Sequence, residues 1–171
     1  AAAAAAAHSP RPPSPPAALR SLRAAVERGP RRGEGRAAGA DVVMGLGGGS
    51  SMDVAKLVAV MLVGEQPLAE LYGIGKVTGR RLPLVQVPTT AGTGSEAGIR
   101  ALITNPGSGA KIAVESPHLL ADLAVLDPEL TFTVPPAVTA ATGIDAMAHC
   151  VEAFTNRRAH PVIDGFARMG I

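Results

Sequence analysis

Short apolar runs and helical periodicity alternate along the chain from Asp41 onward. Residues 42–44 and 84–87 are apolar runs that predict two short buried strands. Between them, residues 52–63 carry apolar side chains three or four positions apart, which predicts a helix. Asp53 is expected in the first turn of that helix, where a carboxylate favours the positive end of the helix dipole.

The second half of the pattern predicts a hairpin, one more strand and then helix alone. Residues 99–104 and 111–114 are joined by Asn-Pro-Gly-Ser-Gly, which favours a β-hairpin, and residues 123–126 predict a further buried strand. Residues 133–149 are predicted to turn helical, with prolines at the helix start. This order indicates an α/β domain over residues 41–134 and the opening of an α domain over residues 135–171.

The first 40 residues have a different composition and predict a low-complexity, disordered leader. They open with seven alanines and hold six of the fifteen prolines, which cannot donate backbone hydrogen bonds. Seven arginines face two glutamates there, so the net charge of +2 comes from the leader. An Arg-rich, acid-poor N-terminus is also found in mitochondrial transit peptides, although a cytoplasmic location is the default expectation.

Composition excludes several classes of function. A single cysteine excludes a disulfide framework and four-thiolate zinc folds. The longest apolar stretch, residues 54–63, is too short to cross a bilayer. Aromatic residues make up only 2% of the chain and none lies among the leader's arginines, which argues against nucleic-acid binding. We therefore expect neither a membrane nor a nucleic acid as partner.

Two segments of small residues follow predicted strands and suit a phosphate group. Residues 45–51 are predicted to form a loop before the helix, where glycines admit an anion and free N–H groups face it; its candidate residues are Gly47, Gly48, Gly49 and Ser50. The segment lacks the last glycine of the dinucleotide fingerprint and the lysine of a P-loop, so a flexible turn is an equal alternative. Residues 89–96 follow the next strand and add the hydroxyls of Thr89, Thr90 and Thr93.

Asp145 and His149 are four positions apart in a predicted helix, so both side chains project from one face. A carboxylate and an imidazole at this spacing suit a divalent metal such as Fe(II) or Zn(II). A hydrogen-bonded or surface pair is the alternative, and two ligands do not complete a catalytic metal site.

Together these segments resemble the iron-containing alcohol dehydrogenase family. The resemblance rests on residues 47–56 (GGGSSMDVAK), 88–96 (PTTAGTGSE), 116–128 and 142–149 (TGIDAMAH), and it extends over residues 41–171, with no counterpart for the first 40. It implies a dehydroquinate synthase-like/iron alcohol dehydrogenase architecture. In this chain that means an incomplete Rossmann-like nucleotide-binding domain, followed by the start of an all-helical metal-binding domain.

The resemblance also implies a site and a chemistry. Asp145 and His149 would be the first two metal ligands, with Fe(II) or alternatively Zn(II) between them. Lys111 would lie near the cofactor's ribose. The remaining residues of the implied NAD(P) site are Gly47, Gly48, Gly49, Ser50, Asp53, Thr89, Thr90 and Thr93. The metal would polarise the oxygen of a small alcohol or aldehyde while hydride passes to or from the nicotinamide.

Departures from the family pattern keep several alternatives open. Members of the family have βα units before the glycine segment and two further metal-binding histidines downstream. We therefore expect this chain to be an inactive fragment of an enzyme that is a homodimer in its full-length form. The alternatives are a Zn-dependent polyol dehydrogenase relative and a non-catalytic remnant that binds nucleotide or pairs with another subunit. The sequence selects neither the alcohol nor NAD over NADP.

Overall fold

The computed structural model describes residues 39–105 and 108–171. The leader predicted over residues 1–40 therefore lies almost entirely outside the described residues. In chain order the elements are β1 (Val43–Gly47), α1 (Gly49–Val63), α2 (Leu68–Leu71), β2 (Gly73–Ile74), β3 (Leu84–Pro88), β4 (Arg100–Thr104), β5 (Lys111–Glu115), β6 (Leu123–Ala124), α3 (Pro136–Thr155) and α4 (Pro161–Gly170).

The strands form two three-stranded sheets. In the first sheet β3 lies between β1 and β6, and both neighbours run parallel to it. In the second sheet β5 lies between β2, which is parallel to it, and β4, which is antiparallel. The β4–β5 pair is the predicted hairpin, and Arg100 at its end pairs with Glu115 at 2.6 Å. Parallel strands followed by helices confirm the α/β class.

Helix α1 is buried between the two sheets. On one side Ala55 and Ala59 pack with Leu84 of β3. On the other side Leu57 and Val60 join a larger cluster that includes Val114 of β5. Because α1 has a sheet on either side, its sequence is apolar on more than one face, and a helix with this environment is held by tertiary packing more than by intrinsic propensity.

The segment predicted as a glycine loop is instead the end of a strand and the start of a helix. β1 continues to Gly47 and α1 begins at Gly49, so only Gly48 separates them. Small residues allow this tight junction because no side chain crowds the backbone. The earlier helix start places Asp53 one turn inside α1, and the expectation that it lies in the first turn is wrong.

The strand predicted over residues 123–126 is shorter and more exposed than expected. Only Leu123–Ala124 pairs with β3, and the side chain of Leu123 is 54% exposed. The strand is at the edge of its sheet, where one row of backbone groups has a neighbour and the other does not. The prediction of a buried strand is therefore wrong, although a strand is present.

The C-terminal part is helical, as predicted. α3 covers Pro136–Thr155, and α4 packs against it, with the Arg168 guanidinium 5.2 Å from the centre of the Phe154 ring. Several apolar side chains of this pair are exposed, including Ile144, Phe166 and Met169. No helix in the described part of the chain is both long and apolar enough to cross a membrane.

Gly45 allows β1 and α1 to approach each other closely. A methyl group at Gly45 would lie 2.8 Å from Cβ of Ala55, well inside normal van der Waals contact. The two neighbouring backbones of β1 and α1 would have to separate to admit it.

We predict that Gly45→Ala lowers the free energy of unfolding by about 1–3 kcal/mol, because overpacking a tight contact costs this much. Gly143→Ala is the matched control: a methyl there meets nothing within 4 Å, and alanine favours a helix interior by about 0.5–1 kcal/mol. Urea unfolding of the two variants and the unmodified chain measures both effects. Equal stability of Gly45→Ala and the unmodified chain would contradict the close packing.

Arg81 and Asp122 clamp the start of β3 to the segment before β6. The guanidinium donates to both carboxylate oxygens at 2.5 and 2.9 Å, and the Leu84 amide donates to the same carboxylate at 2.7 Å. The hydrogen bonds from Arg81 and then from Leu84 lower the pKa of Asp122 from 3.8 to about 2.

Because the pKa of Asp122 is lower in the folded state, its ionised carboxylate stabilises the fold at pH values above about 4. This stabilisation is lost as the pH falls from about 4 to about 2 and the carboxylate is protonated. Because the Asp122 side chain is 55% exposed, solvent screening limits the contribution to about 1 kcal/mol. We predict that Asp122→Asn lowers stability at pH 7 and reduces the loss of stability between pH 5 and pH 2. Urea unfolding across that range checks this; identical pH dependence in both proteins would contradict it.

Candidate functional site

The two segments singled out for phosphate binding start side by side. β1 and β3 run parallel with Gly47 opposite Pro88, so the chain leaves both strands at the same edge of the sheet. The Thr89 amide donates to the Gly47 carbonyl at 3.0 Å and joins the two exits. Ligands of open α/β sheets bind at this carboxyl edge.

Glycines at the start of α1 admit the threonine loop, residues 89–96. A methyl group at Gly48 would lie 3.3 Å from Oγ1 of Thr90, and one at Gly49 would lie 2.8 Å from Cγ2 of Thr93. The side chain of Thr93 thus occupies the space that a side chain at Gly49 would need. Neither glycine has a left-handed φ, so close approach is what favours glycine here, strongly at Gly49 and more weakly at Gly48, where Thr90 would have to shift by only a few tenths of an ångström.

The N-terminus of α1 is open to an anion. Its N-cap is Gly48, which has no side chain to accept a hydrogen bond from the first amides. The amides of Ser51 and Met52 donate to the Gly48 carbonyl, and those of Gly49 and Ser50 lie at the end of the helix. The partial positive charge of a helix N-terminus and its unpaired N–H groups together attract phosphate oxygens.

The threonine loop also contacts α3. A methyl group at Gly92 would lie 2.5 Å from the Thr142 carbonyl oxygen. Thr142 is one helical turn before Asp145, so this contact brings the helix that carries both predicted metal ligands to the threonine loop.

A cleft of about 770 Å³ lies between these elements. Seven of the predicted site residues line it: Gly49, Ser50, Asp53, Thr93, Lys111, Asp145 and His149. The other four, Gly47, Gly48, Thr89 and Thr90, are not among its lining residues and instead form the contacts between the start of α1 and the threonine loop. Residues from both halves of the chain thus meet in one place.

Asp145 and His149 form a partly exposed pair on α3. Oδ1 of Asp145 and Nε2 of His149 are 3.8 Å apart, which is too long for a hydrogen bond, so the hydrogen-bonded alternative is not formed. Their side chains are 48% and 60% exposed, and both line the cleft. Within residues 39–105 and 108–171, no third Asp, Glu, His or Cys joins them in a cluster. Their donor atoms are of the kind that Fe(II) or Zn(II) prefers, and they would supply two of the ligands of such a site.

Asp53 belongs to a buried network that the sequence analysis missed. Its Oδ1 accepts a hydrogen bond from the Ser95 hydroxyl at 2.5 Å, and its Oδ2 accepts one from the Leu102 amide at 2.9 Å. The ammonium of Lys56, which is fully buried, lies 3.6 Å from Oδ1. Burial lowers the pKa of Lys56, while the Asp53 carboxylate acts in the opposite direction.

Asp53 lines the cleft, but both oxygens of its carboxylate already accept hydrogen bonds, from the Ser95 hydroxyl and the Leu102 amide. The signal for this network was present in the sequence: Asp53 and Lys56 are three positions apart within an otherwise apolar helical segment. A charged pair at helical spacing inside a buried helix predicts a paired interior charge, because an unpaired one is too costly.

The sequence of this chain matches a known protein family. Residues 25–128 match the family described as iron-containing alcohol dehydrogenase. The match begins before residue 41, so the expectation that the first 40 residues have no counterpart is wrong for residues 25–40.

Two curated relatives and one solved structure show the same relationship. The chain is 44% identical over 131 residues to sulfoacetaldehyde reductase of Bilophila wadsworthia, with 77% of this chain and 34% of the relative covered. It is 45% identical over 130 residues to long-chain-alcohol dehydrogenase 1 of Geobacillus thermodenitrificans, covering 74% and 32%. Sulfoacetaldehyde reductase from Bifidobacterium kashiwanohense in complex with NAD+ has a TM-score of 0.76 at 35% identity, covering 87% and 38%.

The chain spans about a third of the length of these curated relatives. The family match extends over more than half of this chain. The solved structure has the same fold as this chain, at 35% sequence identity. This chain belongs to the iron-containing alcohol dehydrogenase family.

Proposed function

We propose that this chain supplies the dinucleotide-binding cleft and part of the metal shell of an NAD(P)-dependent alcohol dehydrogenase, which transfers hydride between a small alcohol and the nicotinamide. The observation that carries the proposal is the cleft itself. It brings the open N-terminus of α1, Thr93, and the Asp145–His149 pair together, although they are far apart in the sequence.

The phosphate side of the cleft supports the dinucleotide part of the proposal. The amides of Gly49 and Ser50 would donate to the pyrophosphate, and the missing side chains at Gly48 and Gly49 let its oxygens approach the backbone. The Thr93 hydroxyl lies over the same helix end, and Lys111 adds a cation from β5. The related structure from Bifidobacterium kashiwanohense is described as a complex with NAD+, which supports NAD as the first candidate.

The other side of the cleft supports the metal part. Asp145 and His149 would hold a divalent ion, Fe(II) by the family's description or alternatively Zn(II), which has the same ligand preference. When bound, the ion would act as a Lewis acid toward the oxygen of the substrate. The apolar side chains of Val54, Leu68 and Ile103 line the same cleft and would limit the access of water to the reacting groups.

The proposed substrate class is an alcohol and its corresponding aldehyde. One curated relative is named as an aldehyde reductase and the other as an alcohol dehydrogenase, which are the two directions of one redox reaction. For the full-length enzyme we propose a homodimer in the cytoplasm, in keeping with the resemblance and with the single cysteine of this chain.

Nucleotide binding without turnover is a second candidate function. The observation that favours it is that the described residues supply two metal-ligating side chains to the cleft and no cluster of three. Because this chain alone is expected to be inactive, the full-length protein separates the two functions. Its oxidation of an alcohol with added metal and NAD would support the first function, and saturable nucleotide binding without turnover would support the second.

We predict that the chain binds NADH saturably and that Gly48→Glu weakens binding on the order of tenfold more than Gly48→Gln. Both side chains crowd Thr90 to the same degree, but only the carboxylate repels the pyrophosphate at the helix N-terminus. Fluorescence titration of NADH into the three proteins measures the difference. Equal affinities of the Glu and Gln variants would contradict a pyrophosphate at this position.

We also predict that the chain binds Zn(II) through Asp145 and His149. Loss of even a hydrogen-bond partner of a metal ligand lowers affinity about tenfold or more, so His149→Ala should lower it at least as much. His118→Ala is the matched control, because His118 lies in a short 3-10 turn (Pro117–Leu119) and is not among the residues lining the cleft. Calorimetric titration compares the two variants, and an equal loss in both would exclude His149 as a specific ligand.

A further inference from the structure

Lys56 is fully buried and is not among the residues lining the cleft. Its ammonium nevertheless donates hydrogen bonds to Ser95 and Arg100, which both line the cleft. We propose that Lys56 is a positioning residue for the dinucleotide site: through Ser95 it holds the hydroxyl of Thr93 over the N-terminus of α1. This role rests on the proposed function, since it concerns the same cleft.

The ammonium of Lys56 joins three elements. Nζ donates to the Ser95 hydroxyl at 3.0 Å and to the Arg100 carbonyl at 2.7 Å, and it lies 3.6 Å from the Asp53 carboxylate. Lys56 and Asp53 belong to α1, Ser95 to the threonine loop, and Arg100 to β4. One side chain thus fixes the loop and the hairpin relative to the helix between them.

Apolar packing alone does not account for a charged side chain at Lys56. Burying an ammonium is costly, and replacing both members of a buried ion pair by apolar side chains of similar size is often neutral or stabilising. Here burial lowers the pKa of Lys56, which reflects this cost. What the lysine provides, and a methionine would not, is a set of directed donors to Ser95 and Arg100.

A short series of contacts leads from Lys56 to the site. The Ser95 hydroxyl accepts from Lys56 and donates to Asp53, which fixes the residue from two sides. The Ser95 amide donates to Oγ1 of Thr93 at 3.3 Å. Thr93 in turn packs on Gly49, at the end of α1. Movement of Ser95 would therefore alter both the rotamer of Thr93 and its place over the first amides.

The first measurement is made without ligand. Three-bond NMR couplings to the Thr93 methyl group report whether this side chain keeps one χ1 rotamer. We expect one rotamer in the unmodified chain and an average of rotamers in Lys56→Met. Arg81→Met is the matched control, because it removes another cation paired with an aspartate outside the cleft, and it should leave Thr93 unchanged. Ser95→Ala tests the same link with Lys56 and Asp53 both retained.

The second measurement is a double-mutant cycle on NADH affinity. We expect Lys56→Met to raise Kd about tenfold, and to raise it much less in a Thr93→Val background, because the two residues act through one contact. Arg81→Met should leave Kd unchanged at a temperature where every variant is folded.

A single Thr93 rotamer in both Lys56→Met and Ser95→Ala would overturn the positioning role, as would an equal effect of Lys56→Met on Kd with and without Thr93. Averaged rotamers together with a strongly reduced effect in the Thr93→Val background would support it. Absence of NADH binding by the unmodified chain would contradict the proposed function, whereas the ligand-free couplings decide the role of Lys56 on their own.

Discussion

The burial of α1 between two sheets is the constraint on which the rest of this structure depends. Ala55 and Ala59 face β3, while Leu57 and Val60 face the hairpin sheet. A helix packed on both sides cannot shift along its axis without disturbing both interfaces, because protein interiors are close-packed. Its N-terminus is therefore fixed at the carboxyl edge of β1 and β3, and the position of the proposed anion site at that end is a consequence of the packing.

Small residues determine how closely the other elements approach this fixed helix. Gly45 lets β1 lie against Ala55, Gly49 admits Thr93, and Gly92 lets the threonine loop meet Thr142 of α3. The last two contacts also bring Asp145 and His149 to the end of α1. The proposed phosphate and metal sides of the cleft are thus connected through one loop. At these three glycines the reason for the missing side chain is contact distance, since none of them has a positive φ.

Much of the fold follows from the sequence because periodicity reports local structure. The spacing in residues 52–63 predicts α1, and the turn between the paired apolar runs predicts the β4–β5 hairpin. The boundaries of β1 and α1 were missed because glycine has weak preferences, so tertiary packing decides whether Gly47 and Gly49 belong to a loop. α4 lies in the region predicted to be helical, but no separate bounds were predicted for it, and its ten residues are too few to be stable in isolation from α3.

The site could be predicted only in part. The resemblance named residues that meet in one cleft, including Lys111 and His149, which no local pattern could bring together. Lys56 and Ser95 were missed because their importance comes from a contact across 39 positions of sequence, in a network where the carboxylate of Asp53 is also engaged. Spacing identifies candidate donors, whereas burial and the partner across the fold decide which of them are free to meet a ligand.

A dinucleotide site at the end of α1 is tested most directly by a map of amide chemical-shift changes as NADH is added to the isotope-labelled chain. The largest changes are expected at residues 48–51 and 89–95, the two segments that meet at the end of α1. Changes confined to other surfaces, or no saturable change at all, would contradict the claim that the start of α1 and the threonine loop form a dinucleotide site.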